Sequence, residues 1–224
     1  MIKAEYIDHM GDDLRVANVA RVSFAKWKET LDDTDARLIK FLALHEHTSP
    51  FRHTAITVRC SAPVYLARQL GKHQVGMSWN EESRRYVSNK RPVLHKQEFR
   101  TRPDGAIKQG SSDVLTVFPT IKLLGNEYPV EMVLEALVDA YEEAVDMTGP
   151  YRVAPECARA VLPQNMVVTW VWTGSLAAFF HMYRLRISGH AQKEARNFSD
   201  QIGLIIKNLF PACWDALEEA TKEH

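Results

Sequence analysis

The sequence predicts one α+β domain spanning residues 1–224, and three observations carry that expectation. Short stretches in which apolar and polar residues alternate are interleaved with longer stretches whose apolar residues recur at helical spacing. No repeat, low-complexity tract or linker-like composition shift divides the chain. There is no GxGxxG fingerprint, no Walker loop and no GxSxG elbow, so a bound dinucleotide would sit outside a Rossmann fold.

In order, Ile2, Ala4 and Tyr6 alternate with Lys3 and Glu5 as in a half-buried strand, and a helix follows from Asp12 to about Arg21. Thr34 suits the N-cap of a second helix striped by Leu38, Phe41, Leu42 and His45, which Pro50 ends. Ala55 to Cys60 reads as a strand with Ile56, Val58 and Cys60 on one face. Pro63 suits the first turn of a helix that buries Val64, Ala67 and Leu70, with Arg68 and Lys72 sharing another face. From about Asn89 to Tyr128 the chain is polar, carries Pro92, Pro103 and Pro119 and the turn signal Pro103-Asp104-Gly105, and reads as loop with short strands. Pro129 opens a helix striped by Val133, Leu137, Ala140, Tyr141 and Ala144, with Gly149 as its cap. Ala154 to Leu162 is a short helix closed by Pro163, and Val167 to Trp172 is β-rich. Helical patterning then runs from Ser175 to about Leu209, broken near Ser188-Gly189.

Lys plus Arg and Asp plus Glu both number 28, so no global basic field draws the chain to nucleic acid or membrane, and an anionic ligand needs a local cluster. The three cysteines, Cys60, Cys157 and Cys213, show no CxxC spacing and suggest thiols in a reducing compartment. The start, MIKAEYIDHMGDD, lacks the apolar core of a signal peptide, and no apolar run is long enough to span a bilayer. A cytoplasmic protein is expected.

Three polar clusters can carry chemistry. Lys72-His73-Gln74 through Asn80-Glu81-Glu82-Ser83-Arg84-Arg85-Tyr86 offers cations for a phosphate and acceptors for a heterocycle edge, or alternatively a solvated turn of ion pairs. Later, Arg184-Leu185-Arg186 precedes His190-Ala191-Gln192-Lys193-Glu194, whose His and Glu share a helical face. Arg159 looks interior because its neighbours are apolar, and a buried Arg needs an anionic partner. The third cluster, His45-Glu46-His47-Thr48-Ser49-Pro50-Phe51-Arg52-His53, invites a zinc reading, although histidines at a helix C-terminus are favoured electrostatically anyway.

Five pieces in order resemble the flavin-dependent thymidylate synthases along most of the chain: Ala20-Arg21-Val22-Ser23; His47 to His53; Ala67-Arg68-Gln69 with the following signature; Ala158-Arg159-Ala160-Val161-Leu162-Pro163; and Leu185-Arg186 with His190-Ala191-Gln192 and Glu194. The signature departs from the family's Arg-His-Arg, seven residues, then Ser: it reads Lys72-His73-Gln74 with eight residues before Ser83, while Asn80 to Tyr86 is intact. Family Asn-x-Arg flavin contacts appear as Ser175-Leu176-Ala177. Both departures remove polar grip on a flavin.

The resemblance implies an α+β fold with a mainly antiparallel sheet flanked by long helices, and a non-Rossmann flavin site at subunit interfaces of a homotetramer. It implies reductive methylation of dUMP to dTMP, with methylenetetrahydrofolate as one-carbon donor and FAD with reduced nicotinamide (NADPH) as hydride source. It places Gln69, Lys72, Glu81, Glu82, Ser83, Arg84, Arg85 and Arg159 around dUMP. Ser49, Lys72, His73, Gln74, Glu81, Ser175 and His181 would touch FAD. Arg186 matches the arginine that favours ionisation of uracil N3, in keeping with a guanidinium stabilising an imide anion. His53 and His73 would orient folate or shuttle protons. Ser83 has no base at firm spacing to activate it and is read as a phosphate donor, and no metal is expected. Three other readings stand beside this one: a non-catalytic nucleotide-binding homologue, a nucleic-acid module built on Arg84, Arg85, Lys90 and Arg91 with Trp79 and Tyr86, and a zinc hydrolase built on His45, His47 and His53.

Overall fold

The computed structural model describes residues 2–104, 110–115 and 119–223. Gly105 of the Pro103-Asp104-Gly105 turn signal lies outside the described residues. The chain folds into two compact units: Lys3–Cys60, Leu70–Asn80 and Trp170–His224 form the larger, and Met1–Ile2, Ser61–Gln69 and Glu81–Thr169 the smaller. The architecture is α+β with antiparallel sheets and helices, as the sequence implies.

A four-stranded sheet, most of whose residues belong to the larger unit, has the order β1-β2-β6-β3, from β1 (Lys3–Met10), β2 (Ala55–Pro63), β3 (Met77–Glu81) and β6 (Val167–Gly174). Ile56, Val58 and Cys60 on β2 are fully buried, the face their alternation predicts, and Trp170 and Trp172 do the same on β6. Trp79 of β3 stacks on Trp170 at 4.4 Å between ring centroids and meets Trp172 edge-on at 5.4 Å. Buried aromatics of this size each remove about 150–250 Å² from water, worth roughly 4–6 kcal/mol apiece before entropy. β3 was legible in sequence only as loop, because its outward residues are polar and only its aromatic residue anchors it.

Helices α1 (Asp13–Arg21), α2 (Asp33–Leu44), α6 (Leu176–Ile187), α7 (Lys193–Leu209) and α8 (Pro211–Glu223) complete this unit, with α2 against α8 and α6 against α7. The α2 cap is Asp32, whose carboxylate takes the Thr34 and Asp35 amides while Asp35 returns a bond to the Asp32 amide; Thr34 lies inside the helix. Its buried stripe runs through Asp35, Ile39, Leu42 and Ala43, and Phe41 points out. Asp35 is fully buried and pairs with Arg21, so the Arg21 of the Ala20–Ser23 piece is structural. Asp13, also buried, accepts from the Ala212 and Cys213 amides at 2.9 and 2.8 Å and so caps the exposed donors at the start of α8.

The smaller unit holds α3 (Val64–Leu70), the antiparallel hairpin β4 (Thr120–Leu123) and β5 (Asn126–Pro129), α4 (Val130–Val145) and α5 (Pro155–Ala158). The hairpin turns through Leu124 and Gly125, both at positive φ, the conformation a two-residue turn requires. Pro63 is the last residue of β2 and Pro129 the last of β5, each handing directly into a helix. α3 ends before Lys72, so Arg68 and Lys72 do not share a helical face. In α4 the buried positions are Val138 and Tyr141, and Asp146 rather than Gly149 is the C-cap. Among the described residues no helix is long and apolar enough to cross a membrane.

Candidate functional site

In the smaller unit, the polar segment after β3 turns back on itself. Ser83 O accepts from the Tyr86 and Val87 amides at 2.9 and 3.1 Å, Ser83 Oγ accepts from the Arg85 amide at 3.3 Å, and the Glu82 amide donates to Thr169 O at 2.8 Å. Because the Ser83 oxygen already receives an N–H, its own O–H remains available to a ligand. Glu81, Glu82, Ser83, Arg84 and Arg159 line one open groove of about 370 Å³, with an apolar wall that includes Met166 and Val168. Five of the eight residues that the sequence assigned to a nucleotide therefore share a surface.

The other three sit differently. Arg85 faces Glu156, Nε to Oε2 at 3.5 Å, with its guanidinium over the Tyr86 ring at 5.5 Å. Gln69, near the end of α3, has a buried Oε1 without a hydrogen-bond partner among the described residues, an acceptor left open for a donor. Lys72 is exposed in the larger unit. Arg159 is exposed rather than interior: its apolar neighbours belong to a single 3-10 turn, Arg159–Val161, that turns the guanidinium outward, and Nε donates to the Glu156 carbonyl at 3.3 Å. Arg84 is the buried cation, its Nη1 donating to Val87 O at 3.3 Å and to Lys90 O at 2.5 Å.

In the larger unit the second cluster forms around α6. Arg186 Nε donates to His73 Nε2 at 3.0 Å, and the His73 and His181 rings meet edge-on at 6.3 Å. Burial, then the positive Arg186 and then His181, push the His73 pKa down to about 4. His73 is thus neutral near pH 7, with its proton on Nδ1 and Nε2 an acceptor. Burial also lowers the Arg186 pKa, but a guanidinium remains charged. Ser175 is the N-cap of α6, its Oγ accepting from the Ala178 amide at 3.2 Å. Gln74 and Ser49 are exposed. Gly76, at φ +72, and Gly174 back onto each other, since a Cβ on Gly174 would run into Met77 Sδ and lie 3.2 Å from Gly76 O.

A cavity of about 160 Å³ lies in the same unit, floored by Phe51, Phe180 and Leu217 and rimmed by His47, Thr48, His181 and Arg184. Of this rim, the sequence gave His181 a flavin role and His47 a place in the zinc reading, while Thr48 and Arg184 stood in polar clusters without an assigned ligand. The His47–His53 piece is held by Thr54, which is buried, donates to Phe51 O at 3.1 Å and accepts from the Leu176 amide at 2.9 Å. His45 and His47 lie 6.3 Å apart ring to ring and both meet the Phe41 ring, and no group of His, Cys, Asp and Glu among the described residues is arranged to hold a metal. His190 precedes α7, which begins at Lys193, so it does not share a helical face with Glu194.

Residues 5–212 match the profile of the thymidylate synthase complementing protein family. A flavin-dependent thymidylate synthase from Thermus thermophilus is 34% identical over 213 residues, covering 95% of this chain and 74% of that protein. Those of Ruegeria pomeroyi and Thermosipho africanus are each 31% identical, over 95% and 94% of this chain and 69% and 88% of theirs. Among solved structures, the UMP/dUMP methylase PolB of Streptomyces cacaoi, bound with 5-Br dUMP, superposes with a TM-score of 0.77 at 25% identity, covering 98% of this chain and 95% of that one. The chain belongs to the thymidylate synthase complementing protein family.

Proposed function

We propose that this chain is a flavin-dependent methyltransferase that converts dUMP to dTMP, with FAD as cofactor and methylenetetrahydrofolate and NADPH as co-substrates. The functional unit is residues 1–224 acting as one domain, in a homotetramer. The observation that carries the reading is the groove of the smaller unit, which Ser83, Arg84, Arg159, Glu81 and Glu82 line together. Its two cations suit a phosphate, and its carboxylates suit the N–H edges of a base or sugar hydroxyls. Gln69 of the same unit, outside the groove lining, keeps a buried Oε1 that has no hydrogen-bond partner among the described residues, an acceptor of the kind a uracil imide would fill.

Residues of the larger unit support the flavin part of this reading. The Lys72–Gly76 turn exposes Lys72, Gln74 and Val75, and the His181-rimmed cavity is apolar below and polar above, as a flat heterocycle prefers. When bound, reduced flavin supplies the hydride that completes the methyl group. Arg186, hydrogen-bonded to His73, is a partly desolvated cation of the kind that lowers the free energy of a uracil N3 anion. His73, held neutral, accepts the Arg186 proton contact without adding a competing charge.

The test is tritium release from dUMP labelled at C5, run beside UMP, with FAD, NADPH and methylenetetrahydrofolate. Wild type is expected to release tritium, and Arg186→Ala to release none while keeping its circular dichroism. Turnover by Arg186→Ala at the wild-type rate removes that role, and a colourless wild type inert toward both nucleotides removes the reading.

A further inference from the structure

We propose that Arg91 is a positioning residue for nucleotide binding: clamped onto α4 by three carboxylates, it fixes the loop carbonyls that aim Arg84 into the groove. The proposal rests on the reading of that groove as the uridylate site.

Of the two groove cations Arg84 is the buried one, and its direction is set by two backbone oxygens, Val87 O and Lys90 O, both bonded to Nη1. Those carbonyls belong to a stretch, residues 87–93, that is neither helix nor strand, so no ladder of backbone bonds holds it. Its far end is tied down, since the Val167 amide donates to Val93 O at 2.7 Å and Leu94 bridges Met166. Between these points stands Arg91, the residue after Lys90. Its Nη2 meets Glu135 at 3.0 Å and Asp139 at 2.8 Å, and its Nη1 meets Glu142.

Glu135, Asp139 and Glu142 follow at intervals of four and three residues, so they occupy one face of α4 and repel one another unless a cation stands among them. Asp139 first, then Glu135 and Glu142, hold the Arg91 pKa above its ordinary value. The competing explanation is an ordinary surface ion pair, which contributes little to overall stability, and Arg91, Glu135 and Asp139 are indeed exposed, with Glu142 half-buried. Convergence of three carboxylates on both Nη nitrogens is harder to explain that way. A clamp too weak to alter global stability still sets how often the loop is competent to bind. If the loop is competent in about one molecule in five without the clamp, the apparent affinity falls about fivefold.

The experiment uses the whole 224-residue chain with its flavin, in Arg91→Gln, Arg91→Lys and the triple Glu135→Gln/Asp139→Asn/Glu142→Gln variant. Arg91→Gln is expected to raise the KM for dUMP about fivefold at little changed kcat, with the unfolding midpoint unmoved. Arg91→Lys should recover part of the loss, and the triple variant should repeat it. Amide exchange at Tyr86 and Val87, whose N–H groups bond Ser83 O, should quicken in Arg91→Gln. Unchanged KM and unchanged exchange in Arg91→Gln overturn the proposal, as does a loss of kcat and stability together that Arg91→Lys does not relieve. Failure of the wild type to bind dUMP removes the reading of the groove instead, and the exchange rates then decide the clamp on their own.

Discussion

Gly174→Ala tests whether the backbone beneath the His73 loop is built to touching distance. The new Cβ would overlap Met77 Sδ, lie 3.2 Å from Gly76 O and lie 3.3 Å from Phe179 Cε2. Met77 is a flexible thioether that can swing aside, but the Gly76 carbonyl is backbone and accepts from the Ser175 amide at 3.4 Å. The methyl must therefore push the Gly76 peptide, and with it the turn that carries His73. Overpacking of this kind costs about 1–3 kcal/mol. For a chain of this size that corresponds to a melting point lower by roughly 2–12 °C. Differential scanning calorimetry of Gly174→Ala, Met77→Ala and the double variant separates the two contacts. Removing Met77 Sδ should recover part of the loss, giving a coupling of about 0.5–3 kcal/mol. Bound flavin, read from absorbance, should fall in Gly174→Ala more than its stability alone explains. A melting point equal to wild type, or strictly additive variants, would show that the glycine is not sterically required.

Thr54→Val keeps the shape of the side chain but orphans the Phe51 carbonyl and the buried Leu176 amide. A destabilisation of about 1–3 kcal/mol per orphaned group is expected in urea unfolding with an unchanged slope, and Thr54→Ser should restore it. His73 is neutral when folded and protonates near 6.5 when unfolded, so the unfolded state takes up the proton first as pH falls. Its contribution to stability is complete above 6.5 and is lost between 6.5 and about 4, the window in which His73→Gln should show a shallower decline than wild type. Parallel pH profiles for the two proteins would contradict the depressed His73 pKa.

Much of the frame was legible because burial leaves periodic marks. Ile56, Val58 and Cys60 gave β2 its face, and Ser175 and the Ser188-Gly189 break bounded α6 as expected. What failed did so for local physical reasons. Asp32-Asp33-Thr34-Asp35 offers several capping residues in a row, and only the reciprocal bond from Asp35 selects Asp32. Ile39, not Phe41, faces inward, because aromatic size marks hydrophobicity but not direction. The final helix, α8, was not drawn from sequence at all; its identity depends on Asp13, far away along the chain. Motif order brought Glu81, Glu82, Ser83, Arg84 and Arg159 to one surface, yet gave no sign that Arg84 would be buried and Arg159 exposed. Burial is decided by which way a turn points its side chain, and a linear pattern carries little of that.

The carboxylate of Asp13 also has a consequence for how the molecule is made. Its partners lie 199 and 200 positions downstream, and the Ala4 amide reaches Gln201 across 197. Early strands and helices emerging from a ribosome must therefore wait for late ones, roughly 10 to 40 seconds at ordinary elongation rates. During that interval Val16, Ala17 and Ile39, all sealed in the finished protein, have no lasting cover, which makes the nascent amino-terminal segment a natural client for a holdase.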